Sequence, residues 1–293
     1  MEYPNKQRVA RAKRLTSRAT ANAAHHAILH LVLLSAAVFI VLPLAWMIST
    51  SLKTPMAVLV YPPQWIPNPV TWGNYVEAMT TLPFATFFRN TAAITLLAVV
   101  GEVVSSSLVA YSFARLRWQG RDVLFMVVLA TMMLPHHVTI IPRFVMFRTI
   151  GWIDTLAPLV VPAYFGSPFY VFLLRQFMMT VSPQMDEAAR VDGASFLDVY
   201  WRIILPLTKP ALLAVSIFTF NWTWNDFLGP LIYLQSKENY TISLGLRLFQ
   251  TQVGTDWHLL MAASLVAMLP VIVLFFAAQK YFIQGVVFSG VKG

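Results

Sequence analysis

Long apolar runs separated by short polar or charged stretches make up most of the chain. They are too long and too continuous for the half-buried helices of a soluble domain, whose apolar positions recur every three to four residues. Six runs approach the ~20 residues that a helix rising about 1.5 Å per residue needs to cross ~30 Å of hydrocarbon. They cover roughly 27–48, 90–113, 123–141, 157–174, 211–234 and 258–278. Because lipid offers the backbone no hydrogen-bond partner, each is predicted to be a helix. Pro43, Pro135, Pro162 and Pro270 fall inside these intervals and predict kinks, since neighbouring helices or water can satisfy the freed carbonyls. The expected fold is all-α and polytopic: a single transmembrane domain over 27–278, a basic tail over 1–26 and a short tail over 279–293.

The first run follows Lys6, Arg8, Arg11, Lys13, Arg14 and Arg18, as a secretory leader would. Its length exceeds a leader's apolar region of 7–15 residues, and no clear small-residue cleavage site follows it. It reads as a retained anchor.

Composition agrees with the pattern. Hydrophobic residues are 58% of the chain and charged residues 11%, against about 25% charged in an ordinary soluble domain. The formal charge of +9 would suit nucleic acid or acidic lipid if the basic residues formed one surface. They do not. With both termini cytoplasmic, fifteen Lys and Arg fall on the inner side and six on the outer, which is the bias that sets membrane orientation. Basicity is therefore topology, and no soluble basic domain is left to bind nucleic acid. Cysteine is absent, which excludes disulfides, thiolate metal sites and cysteine nucleophiles. The outer segment 49–89 contains YPPQWIPNPVTWGNY, whose prolines and tryptophans predict a fixed extended loop at the membrane interface. No internal repeat is evident.

The segment 181–210 is charged and interrupted, and this topology makes it cytoplasmic. Ser182 is placed to cap a helix that opens on Pro183, with Asp186 and Glu187 in its first turn. Gly193 supplies a positive φ to end it, and a second helical piece runs from Ala194 to Ile204 before Pro206. Phe196, Val199, Tyr200 and Ile203 give that piece an apolar stripe that can lie on the membrane domain, while Asp198 and Arg202 face elsewhere. The small Ala188 and Ala189 beside Glu187 let another surface approach closely. Periodicity alone fits a docking element and an ordinary amphipathic interfacial loop equally well.

Spacing adds a resemblance. Glu187-Ala188-Ala189, three residues, Gly193, nine residues, Ile203, one residue and Leu205-Pro206 resemble the EAA loop of permease subunits in bacterial ATP-binding-cassette importers. FNWTWNDFLGPLIYL at 220–234, WIPNPVTWGNY at 65–75 and QKYFIQGVVFSGVKG at 279–293 extend the likeness to maltose-type carbohydrate permeases over nearly the whole chain. The resemblance implies a type I importer permease fold in the bacterial or archaeal cytoplasmic membrane. It implies that Glu187, Ala188, Ala189, Gly193, Ile203, Leu205 and Pro206 form the coupling element that docks on a separate ATPase. It also implies that Ser289, Gly290, Val291, Lys292 and Gly293 reach toward that ATPase; a frayed terminus is the other reading of this tail. The implied partners are a second homologous permease, a dimeric ATPase that holds the ATP and magnesium, and an extracytoplasmic binding protein that delivers a di- or oligosaccharide. No cofactor is expected on this chain, which has no G-x-x-x-x-G-K-[ST] loop to cradle phosphates and is not expected to be an enzyme.

Two acidic residues, Glu102 and Asp226, lie within predicted spans, where a charge is costly and should face the bundle interior or a wet cavity. Glu102 shares a helical stripe with Ser105 and Ser106, which either lines a path or binds helices together. Asn221, Trp224 and Asn225 share a face by the same spacing and combine amides with an indole, a surface suited to sugars. Such groups also join helices in membranes, so substrate path and scaffold both remain open. An ion-coupled secondary transporter using Glu102 and Asp226 is the alternative function, but it leaves 181–210 unexplained. An intramembrane hydrolase is rejected, because Ser167 has no base placed to activate it. His136 and His137 are adjacent and lack carboxylate partners in register, so a metal site is not expected.

Overall fold

The computed structural model describes residues 25–135, 137–250 and 254–279. The side chains of the C-terminal tail residues Ser289 to Gly293, like His136, lie outside the described residues. Its principal helices are α1 (His25–Ser51), α2 (Gly73–Thr81), α3 (Phe84–Arg115), α4 (Arg121–Thr131), α5 (Ile140–Thr149), α6 (Pro168–Met179) and α7 (Pro183–Val191). The short α8 (Phe196–Val199) then leads to α9 (Lys209–Trp224), α10 (Leu228–Tyr233), α11 (Ile242–Leu246) and α12 (Trp257–Gln279). Among the described residues four helical stretches are long and apolar enough to cross a membrane: His25–Ser51, Phe84–Arg115, Ala157–Met179 and Trp257–Gln279. A fifth is possible if Phe196–Leu207 and Lys209–Trp224, bent by 76°, count as one.

The interval 123–141 is not one helix. α4 ends at Thr131, Pro135 is extended with ψ 134°, and after the 3₁₀ turn His136–Thr139 α-helix resumes at Ile140. Proline has no N–H to give the preceding turn and its ring crowds that turn, so Pro135 separates the pieces where a kink was expected. The 11 residues of α4 span about 16 Å, half the hydrocarbon thickness. The interval 211–234 is broken as well. α9 stops at Trp224, and the Asp226 carboxylate takes the Gly229 N–H at 3.1 Å, a side-chain bond that competes with helix continuation.

α3 is the central element, packed against α6, α9 and the 3₁₀ turn Val161–Phe165. Gly101 permits the last contact: a β-carbon there would lie 2.5 Å from the Tyr164 ring. α12 packs on α1, α2 and α9, with Ala262 and Ala263 fully buried, small residues that let helices approach closely. Two large apolar cores result. Phe84, Phe87, Trp224, Leu259 and Ala263 share one, and Ala110, Leu174, Met178, Tyr200 and Val215 share the other, nearer the C-terminal end of α3. A smaller one lies at Phe113, Phe125 and Val171.

The loop after α1 is folded back on it. Ser49 Oγ donates to Trp65 O at 2.5 Å, Asn74 Nδ2 donates to Ser51 O and Lys53 O, and Lys53 Nζ sits 3.9 Å over the Trp46 ring. Proline stiffens such a segment, and these bonds fix it.

Candidate functional site

Two regions hold most of the residues singled out by sequence. The first is the segment between α6 and α9. Pro183 opens α7 after Ser182, whose side chain makes no capping bond. Glu187 and Ala188 are exposed and Ala189 is half-buried. The helix closes with Gly193 N–H on Arg190 O (3.0 Å) and Ala194 N–H on Ala189 O (2.9 Å), the paired bonds of a Schellman ending. Gly193 has φ 85°, and a β-carbon there would meet open space, so its backbone angle is the reason for glycine. α8 then starts with a reciprocal cap: Asp198 N–H donates to Ser195 Oγ at 3.2 Å and Ser195 N–H to Asp198 Oδ2 at 3.1 Å. The Ser195 hydroxyl, which donates to Asp198 Oδ2 at 2.5 Å, and the Ser195 N–H hold the Asp198 carboxyl below the usual carboxylate range. Arg202 reaches Asp198 at 3.5 Å.

Tyr200–Ile204 forms a π-helical turn that passes into Leu205–Leu207. Val199, Tyr200 and Ile204 are buried, Ile203 and Leu205 half-buried, and Phe196 and Pro206 exposed. The apolar stripe thus lies on the bundle as the spacing predicted, with Ile204 added to it and Phe196 left to stack under the Arg190 guanidinium at 4.1 Å.

Sequence reasoning missed the side chains that hold this segment. Ser107, Tyr111 and Arg115 lie four residues apart on α3 and face it together. Ser107 Oγ and Tyr200 Oη share a hydrogen bond of 2.7 Å, and Tyr111 Oη donates to Phe196 O at 2.9 Å. Arg115 Nη2 donates to Met178 O and Val181 O, both at 2.7 Å, and its Nη1 lies 3.5 Å from Asp186 Oδ2. Burial pushes the Asp186 carboxyl up, against the pull of Arg115 and Arg190. The four-residue spacing was the available signal.

The second region is a cavity of about 640 Å³ between α3, α5 and the broken end of α9. Asn221, Asn225 and Asp226 line it, with Arg143, Tyr233 and Thr91. Asn225 Nδ2 donates to the Asn221 backbone and side-chain oxygens at 2.8 and 3.1 Å. Beyond the cavity's Tyr233, Asp154 ties the loop after α5 to 233–239. Its carboxylate accepts from the backbone of Gln235 and Ser236 at 2.9 Å and from the Ser236 hydroxyl, which holds it far below the usual range.

Trp224 and Glu102 are not in the cavity wall. Trp224 is buried, stacks on Phe220 and donates Nε1 to Ala267 O at 3.0 Å. Glu102 Oε1 accepts from Ser106 Oγ at 2.5 Å and from Ser167 N–H at 2.6 Å, fastening α3 to the start of α6. Ser105 Oγ donates to Ala163 O at 3.0 Å and strengthens the same junction.

Residues 102–287, which take in the whole segment between α6 and α9, match the family described as binding-protein-dependent transport system inner membrane component. The chain belongs to that family. This inner-membrane transport component is 34% identical to the arabinooligosaccharides transport system permease protein AraQ of Bacillus subtilis over 78% of the chain and 81% of that protein. It is 30% identical to the diacetylchitobiose uptake system permease protein DasC of Streptomyces coelicolor over 87% of the chain and 92% of that protein. Its fold is that of a chain in a bacterial ABC transporter involved in alginate import, with a TM-score of 0.78 at 22% identity, covering 96% of this chain and 99% of that one. A second alginate transporter structure, with a TM-score of 0.62 at 17% identity over 91% and 98% of the two chains, contains a periplasmic protein bound to an alginate pentasaccharide. The relatives are named as transport permeases and not as enzymes. Family membership sets aside the ion-coupled secondary transporter, and the bonding of Glu102 within the protein agrees.

Proposed function

We propose that this permease forms part of the translocation path of an ATP-driven importer for a di- or oligosaccharide. It works beside a second permease and receives its solute from an extracytoplasmic binding protein. The sugar-linked names of its relatives support the substrate class. A separate ATPase pair binds the ATP and magnesium and docks on the exposed face of α7, at Glu187 and Ala188, with Ala189 beneath them. Gly193 sets the bend, and Ile203, Leu205 and Pro206 carry the segment back to the bundle. ATP-driven closure of the ATPase pair moves α7, and the helices rearrange to expose the cavity alternately to each side. Such coupling works only if nucleotide and solute favour different states unequally.

One observation carries this reading. A nine-residue helix presents Glu187 and Ala188 outward while its Asp186 turns to Arg115 and the segment around it is bonded to the bundle at Ser107, Tyr111 and Arg115. Glu187→Lys reverses the charge at the docking point and is expected to abolish ATP-dependent uptake in proteoliposomes while leaving the protein inserted. Normal uptake by that variant removes Glu187 from the interface.

A further inference from the structure

α3 touches both regions. At its C-terminal end Ser107, Tyr111 and Arg115 occupy one stripe, at positions i, i+4 and i+8, and between them grip both halves of the proposed docking segment. Tyr111 and Tyr200 are buried, and the Arg115 side chain is only 6% exposed. At the other end Asn90 Nδ2 donates to Glu238 O at 2.7 Å and Tyr240 O at 3.1 Å, and the Ile242 N–H donates to Thr91 Oγ1 at 2.9 Å. Thr91 and Ile94 belong to the cavity wall, as does Thr241 between those bonded positions. Midway, Glu102 holds the start of α6. The 32 residues of α3 form a rod of about 48 Å, bonded by side chains at its inner end, middle and outer end.

We propose that α3 is the element that transmits movement of the docking segment to the cavity, and that Ser107, Tyr111 and Arg115 are the positioning residues through which the movement enters it. The chemistry suits the role. Apolar contacts let two surfaces slide, whereas the Arg115 guanidinium, bonded to two α6-end carbonyls and paired with Asp186, fixes an orientation. Separating such a pair leaves buried charge uncompensated. One atom of each partner, Arg115 Nε and Asp186 Oδ1, has no bond. The contact is therefore directional without being fully satisfied, and it can be carried along with α7 or exchanged when α7 moves.

The proposal rests on the docking reading above, and its test separates the two. In proteoliposomes holding the complete transporter, three quantities are measured: ATPase retained with the permease, basal ATP hydrolysis, and its stimulation by loaded binding protein. Arg115→Met is expected to keep the ATPase and the basal rate but to lose about tenfold in stimulation and uptake, with Arg115→Lys regaining part. Tyr111→Phe and Tyr200→Phe each remove one hydroxyl without disturbing packing, and are expected to lose about two- to threefold. These two variants carry the test even if Arg115→Met does not fold. Stimulation equal to the parent's in all assembled variants overturns the proposal. So does a loss that merely tracks ATPase falling off the complex. Failure of the docking reading shows differently: Glu187→Lys then retains both ATPase and stimulation, whatever the Arg115 and tyrosine variants do.

Discussion

Glu102 and Trp224 on one side, and Asn221 and Asn225 on the other, look alike in the sequence: polar or amphipathic groups in apolar surroundings. The structure puts them to opposite uses. Glu102 and Trp224 spend their hydrogen-bonding capacity inside the protein, on Ser106, Ser167 and Ala267. The two asparagines line the cavity and bond mainly to one another. A polar group inside a membrane protein must find a partner, and whether that partner is a neighbouring helix or a passing solute depends on which way the helix is turned. Adjacent residues differ on this point: α9 ends between Trp224 and Asn225, so one ring goes into the core and the next side chain into the cavity.

Substitution sharpens the contrast. The largest effect is expected at Trp224→Ala, which empties a buried site and strands the Ala267 carbonyl, costing about 3–5 kcal/mol in stability. It should appear as a fall in the thermal midpoint of the detergent-solubilised protein. Glu102→Ala comes next, at about 1–3 kcal/mol, because it leaves the buried Ser106 hydroxyl and the half-buried Ser167 N–H without their acceptor. Glu102→Gln, which keeps a carbonyl oxygen for both donors, should recover most of the midpoint and normal uptake. A collapse of uptake in a stable Glu102→Gln protein would move Glu102 to the path. Asn225→Ala is expected to change stability by less than about 0.5 kcal/mol, as exposed positions do, while shifting the half-saturation for the solute. If it instead lowers the thermal midpoint as far as Glu102→Ala does and leaves the half-saturation unchanged, the division between the two groups fails.

Legibility in the sequence followed the range of the interactions. Pro183 and Gly193 act within a few positions of themselves, so the start of α7 and the bend after it could be read from their order, whereas the Ser182 cap expected there makes no bond and the Ser195 cap that opens α8 went unread. Arg115 binds carbonyls 63 and 66 residues away, at Met178 and Val181, and a carbonyl carries no sequence signature. The same limit hid the packing of Trp224 against Ala267, 43 positions distant. Hydropathy located the apolar intervals but not their continuity. Pro135 and the Asp226 bond to Gly229 divide two of them, because hydrophobicity measures where a segment prefers to be and not whether its backbone can stay helical there.

The 76° bend between Phe196–Leu207 and Lys209–Trp224 has a mechanical consequence. The cosine of that angle is about a quarter, so a push along the first arm delivers only that fraction as thrust along α9. The crosswise component is nearly the whole push. On the proposed coupling α9 would work as a crank and not as a piston, with its far end, where Asn221 and Asn225 stand, as the end that sweeps.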